Sequence, residues 1–128
     1  MIIHTDASCG DLEVGVGYTI QVDGEVYKGS TSFKGKFTSM EAEFLALKEA
    51  ACVAAYHFDT KQHVFFYTDC QGLVEKMEEP NGDEKWNEKR SLLLSILKTI
   101  GNWSIKWVPR ERNRDADALA NFARETVA

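Results

Sequence analysis

Val64-Phe65-Phe66-Tyr67-Thr68 is a short continuous apolar run that ends at an acid, Asp69. Such a run reads as a central strand covered on both faces, so helices must lie on either side of a sheet. The rest of the chain supplies the other elements. Ile2 and Ile3 open a first strand that runs out into a loop at Thr5-Asp6-Ala7-Ser8-Cys9-Gly10, with Asp6 at the exit. Val14–Val22 and Glu25–Phe33 are rich in β-branched and aromatic residues, and Asp23-Gly24 joins them as a tight hairpin.

From Thr38 to about Phe58 the apolar residues recur at helical spacing, with Met40, Phe44, Leu47, Ala50, Ala51 and Ala54 on one side. A short helix over Gln71–Met77 is stopped by Pro80-Asn81-Gly82, and a second covers Trp86–Ile100 with Leu92, Leu93, Ile96 and Leu97 inside. Trp103–Val108 alternates as a strand until Pro109. Asn113 then caps a last helix whose inner stripe is Ala116, Leu119, Ala120 and Ala123. Right-handed crossovers place the first, fourth and fifth strands parallel and adjacent, with the hairpin on the other side of the first. The expected fold is α/β, a five-stranded mixed sheet of order 3-2-1-4-5 flanked by helices, in a single domain over residues 1–128.

Composition bounds the function. With 128 residues, 44% of them hydrophobic and only two prolines, the chain has the makings of a folded domain rather than a disordered linker. Fifteen Lys and Arg against twenty Asp and Glu give a net charge of −5, so no global positive field draws it to nucleic acid. Three cysteines in no ligand spacing argue for reduced thiols and against zinc. The first residues do not read as a signal peptide, and no apolar run reaches membrane-spanning length. A cytoplasmic monomer with no membrane partner is the expectation.

Asp6 and Asp69 end strands that this topology makes neighbours, so their carboxylates converge at one edge of the sheet. Two acids in one site repel and hold raised pKa values unless a cation neutralises them, and oxygen-only ligands favour Mg²⁺. The long helix offers a third acid. Thr38-Ser39-Met40-Glu41 fits a capping box, which gives Glu41 a structural role. At about 100° per residue, Glu43 falls with Ala46, Leu47, Ala50 and Ala54 on the apolar side, where a carboxylate needs a reason. In the last helix Asp115 complements the dipole in the first turn, whereas Asp117 falls outside that explanation, and periodicity alone does not choose between them.

These segments resemble the type 1 ribonuclease H family over nearly the whole chain. Thr5-Asp6-Ala7-Ser8-Cys9-Gly10 is similar to its first-strand aspartate motif, and Met40-Glu41-Ala42-Glu43-Phe44 to its helix glutamate motif, with Glu43 in the catalytic place. Tyr67-Thr68-Asp69-Cys70-Gln71 resembles its second aspartate motif. Trp107-Val108-Pro109-Arg110-Glu111 and Asn113-Arg114-Asp115-Ala116-Asp117 resemble its closing segment. The resemblance implies hydrolysis of the RNA strand of RNA–DNA hybrids, with Asp6, Glu43, Asp69 and Asp117 holding two Mg²⁺ ions, or Mn²⁺ in their place. It also implies substrate contacts from Ser8, Cys9, Thr38, Ser39 and Gln71. Arg110 resembles the arginine that replaces a catalytic histidine in some relatives.

Three departures open alternatives. The chain lacks that histidine, Ser39-Met40 replaces an asparagine pair, and an acidic stretch with Glu75, Glu78, Glu79, Asp83 and Glu84 stands where better-known members carry a basic protrusion. A nucleic-acid-binding protein of the same fold with weak or no cleavage, or a nuclease with another substrate, fits those departures.

Overall fold

In the computed structural model, which describes residues 1–80 and 82–126, the elements follow the expected order. β1 (Ile2–Cys9), β2 (Glu13–Val22) and β3 (Glu25–Lys34) lead into α1 (Ser39–His57) and β4 (Val64–Thr68). Then come α2 (Gln71–Glu78), α3 (Glu84–Leu97), β5 (Trp103–Trp107), a 3-10 turn at Arg110–Arg112, and α4 (Arg114–Glu125). Asn81, in the Pro80-Asn81-Gly82 helix stop, lies outside the described residues. The sheet order is β3-β2-β1-β4-β5, with β1, β4 and β5 parallel and the hairpin antiparallel. Asp23 and Gly24 both take positive φ, 53° and 79°, as a two-residue hairpin turn matched to strand twist requires.

α1 starts on the expected capping box. Thr38 Oγ1 accepts the Glu41 amide at 3.2 Å and Glu41 Oε1 accepts the Thr38 amide at 2.9 Å. Lys85 adds an ion pair to Glu41 at 3.0 Å, tying the start of α3 to the start of α1. The core lies between the sheet and α1–α3. Ile3, Ile20, Val64 and Phe66 from the strands meet Phe44 and Leu47 of α1, Leu73 of α2, and Leu93 and Leu97 of α3. Each large aliphatic or aromatic side chain removed from water there contributes about 1.5–3 kcal/mol. Trp86 is buried with its ring edge-on to Phe44, 6.1 Å between centroids, so it anchors α3 in this core.

α4 covers the other face, over β1, β2 and β3. It comes close because Gly15 and Gly17 of β2 have no side chains: a Cβ at Gly17 would overlap the Ala116 carbonyl oxygen, and one at Gly15 the Ala120 carbonyl oxygen. No helix among the described residues is long and apolar enough to cross a membrane.

Several expectations are corrected. β4 is not covered on both faces: Val64, Phe66 and Thr68 are buried, while Phe65 and Tyr67 on the α4 side are partly exposed beside the rings of His63 and His4. β1 does not leave the sheet at Asp6 but pairs with β2 as far as Cys9↔Val14, because the antiparallel hairpin outruns the parallel neighbour. Leu92 is 48% exposed and Leu119 only partly buried, so the inner stripes of α3 and α4 are narrower than helical spacing suggested. Asn113 precedes α4 but makes no side-chain cap.

Candidate active site

The site is built where β1 loses one of its two neighbours. Parallel pairing with β4 stops at Thr5↔Thr68, while antiparallel pairing with β2 carries Asp6 onward opposite Gly17. Beyond Thr5 the β4-side edge of β1 is therefore open. Glu43 of α1 reaches into that opening, and its Oε1 accepts the Ala7 amide at 2.8 Å. Asp69, the residue after β4, closes the group: ligand oxygens of Asp6, Glu43 and Asp69 lie within 4.8 Å of one another.

Burial dominates the electrostatics of this trio. It pushes the Asp6 carboxyl up to about 7, with the hydrogen bond to Glu43 opposing the rise and the charge of Asp69 and a hydrogen bond to Asp117 adding to it. Burial, then the charge of Asp6, pushes Glu43 up to about 10. Asp69 is raised by burial too, though Asn113 and Arg110 pull it back. Without a cation, burial and mutual repulsion favour the protonated form of these carboxyls, Glu43 foremost. Glu43 Oε2 is buried with no hydrogen-bond partner. Oxygen-only donors, crowded negative charge and an orphaned carboxylate oxygen together fit a hard divalent cation such as Mg²⁺, which Asp6, Glu43 and Asp69 could hold.

Asp117 stands at the rim. It lines a cavity of about 240 Å³ with Asp6, Ala7, Asp69 and Arg110, outside the tight trio. α4 begins at Arg114, so Asp117 is in the first turn after all, and its amide donates to the Asn113 carbonyl at 3.1 Å. The helix dipole thus suits both acids, and position separates them: Asp115 is exposed and acts on His4, whereas Asp117 faces the carboxylates. Arg110 is exposed at the start of the 3-10 turn and brings the one cation of the cavity wall among the described residues.

The expected substrate contacts divide. Thr38, Ser39 and Gln71 are exposed at the starts of α1 and α2, with the Thr38 hydroxyl already used in the cap. Cys9 is exposed, its sulfur over the carbonyls of Phe37 and Thr38. The Ser8 hydroxyl is engaged, donating to Asn121 Oδ1 and accepting from Arg124 Nε, both at 2.7 Å, so it braces α4. Two participants went unassigned in the sequence. Asn113 is 1% exposed, donates to the Thr5 carbonyl at 2.8 Å and bonds the Asp69 carboxylate, linking β1 to the end of β4. The Trp107 indole donates to the Asp69 carbonyl at 3.2 Å.

Comparisons with known proteins agree with this fold. Residues 5–123 match the family described as reverse transcriptase-like. No curated protein sequence matches the chain. Among solved structures, RNase H1 from the halophilic archaeon Halobacterium salinarum is 30% identical, with a TM-score of 0.83 over 98% of this chain and 97% of that one. LC11-RNase H1, isolated from compost, is 25% identical, with a TM-score of 0.83 over 98% and 96% of the two chains. An N-terminal RNase H domain from Mycobacterium tuberculosis shares the fold at 23% identity, with a TM-score of 0.82 over 98% and 93%. The chain therefore belongs to the reverse transcriptase-like family and to the type 1 ribonuclease H family.

Proposed function

We propose that the protein is a metal-dependent endoribonuclease that hydrolyses the RNA strand of RNA–DNA hybrids. The observation that carries this reading is the oxygen-only trio Asp6, Glu43 and Asp69, within 4.8 Å of one another and with Glu43 Oε2 unpaired. In support, LC11-RNase H1 has been crystallised with an RNA/DNA hybrid. Asp6, Glu43 and Asp69, joined at the rim by Asp117, would hold two Mg²⁺ ions, with Mn²⁺ as a substitute. When bound, such ions lower the pKa of the attacking water and neutralise the departing 3′ oxygen.

The chain's own residues orient the reaction. The Ala7 amide fixes one oxygen of Glu43 and leaves the other turned to the site. Asn113 holds Asp69 against β1, which keeps two carboxylates in register across strands that no longer pair. Arg110, at the cavity wall, neutralises the scissile phosphate as negative charge builds. Asp117 accepts a hydrogen bond from water at the rim and turns its lone pair to the phosphorus. No protein nucleophile is needed. Ser39 and Gln71, with the exposed backbone near Cys9 and Thr38, face the wide minor groove, where the 2′-hydroxyl distinguishes RNA from DNA.

Exposed Glu75, Glu78, Glu79, Asp83 and Glu84 oppose a phosphate backbone, and with a net charge of −5 they make hybrid affinity weak. The test is incubation with labelled hybrid, double-stranded RNA and double-stranded DNA in Mg²⁺ or Mn²⁺, beside Asp69→Asn. Cleavage of RNA in hybrid alone, lost in the variant, supports the proposal. Binding without cleavage would select a non-catalytic role instead, and cleavage of another duplex a different substrate.

A further inference from the structure

The carbonyl of Asp69 is in an unusual position for a backbone group. Parallel pairing of β4 with β5 ends at Thr68↔Trp107, and the last ladder bond runs from the Val108 amide to the Thr68 carbonyl at 2.9 Å. The next amide, of Cys70, turns back to the Thr68 hydroxyl at 3.1 Å, and α2 then begins on the Cys70 carbonyl, which accepts from Leu73 and Val74. The Asp69 carbonyl falls between these two systems and belongs to neither. Its partner is a side chain: Trp107 Nε1 donates to it at 3.2 Å.

Trp107 itself is 49% exposed, so its indole is not placed there by the core. Without that donor the Asp69 carbonyl has only water for a partner, and the backbone that carries the Asp69 carboxylate loses its side-chain tie to β5.

We propose that Trp107 is a positioning residue, whose indole N–H locks the Asp69 peptide and so aims the Asp69 carboxylate into the acidic cluster. This rests on the reading that the cluster binds Mg²⁺. Asn113 holds the same residue by its side chain. Asp69 is thereby gripped at both ends, from β5 and from the start of α4.

Calorimetric titration of the substrate-free protein with Mg²⁺ tests it, using the wild type, Trp107→Phe and Asp69→Asn. Trp107→Phe keeps an aromatic ring at this half-exposed position and removes the donor. Mg²⁺ affinity is expected to fall about tenfold in Trp107→Phe, the scale of losing an outer partner of a ligand. The metal-free melting temperature should stay close to that of the wild type. An unchanged dissociation constant, or a lower melting temperature with unchanged affinity, overturns the inference and leaves the metal reading intact. Absence of Mg²⁺ binding by the wild type overturns both.

A second readout needs no variant. In wild type labelled with ¹⁵N at the indoles, the Trp107 Nε1 proton should exchange slowly and its resonance should move on adding Mg²⁺. Exchange as fast as that of a free indole would refute the bond, and a resonance indifferent to Mg²⁺ would refute its link to the site.

Discussion

Glu43→Gln should flatten the pH dependence of stability in the metal-free protein. A carboxyl whose folded-state pKa exceeds its unfolded value binds protons more tightly when folded. Its stabilising effect is complete below the unfolded pKa and is lost as pH rises towards the folded one. For Glu43 that window runs from 4.5 to about 10, and for Asp6 from 3.8 to about 7. Each proton retained only by the folded state costs about 1.4 kcal/mol of stability per pH unit as pH rises. Between pH 5 and 7 the Glu43 proton, shared in part with Asp6, accounts for about 2 kcal/mol of lost stability. Glu41, held down to about 2 by the Thr38 amide and by Lys85, titrates below this range. His4, lowered by burial, adds a slope of opposite sign near 6.5, but in both proteins alike. Urea unfolding in EDTA at pH 5, 6 and 7 reads the difference. The wild type should lose about 2 kcal/mol more than Glu43→Gln across that range. Parallel curves, or a wild type that gains on the variant as pH rises, would show that Glu43 is not crowded against other carboxylates.

Gly17→Ala should destabilise the protein by about 2–4 kcal/mol, because the added methyl meets the backbone of α4 rather than a movable side chain. The same change should weaken Mg²⁺ binding by displacing Asp117, which melting curves with and without the ion will show. Arg110→Ala, at an exposed position, should leave stability within about 0.5 kcal/mol. It should reduce kcat/KM on hybrid about tenfold. Removing the cation that lowers Asp69 should also move the acidic limb of the pH–rate profile upward.

The parts of the site legible in the sequence were those with a local signature. Asp69 was marked by the apolar run before it, and Glu43 by a helical face on which a carboxylate is out of place. The sheet order followed from the hairpin signal and the handedness of crossovers. Long-range hydrogen bonds were not legible. An asparagine before a helix reads as a cap whether its amide turns to the helix or, as in Asn113, inward to Thr5. Nothing near Ser8 shows that its hydroxyl is taken by Asn121 and Arg124, more than a hundred residues away. The extent of β1 was missed because a strand end depends on the partner that outlasts it, here β2. The outer face of β4 was misjudged because apolar residues alone do not say whether a helix lies over them, and α4 stops short at β1.

Anomalous diffraction at the manganese edge from crystals soaked in Mn²⁺ would locate the ion directly. The account predicts a peak enclosed by carboxylate oxygens of Asp6, Glu43 and Asp69, absent from Asp69→Asn crystals. A peak elsewhere, or none at saturating Mn²⁺, would contradict it.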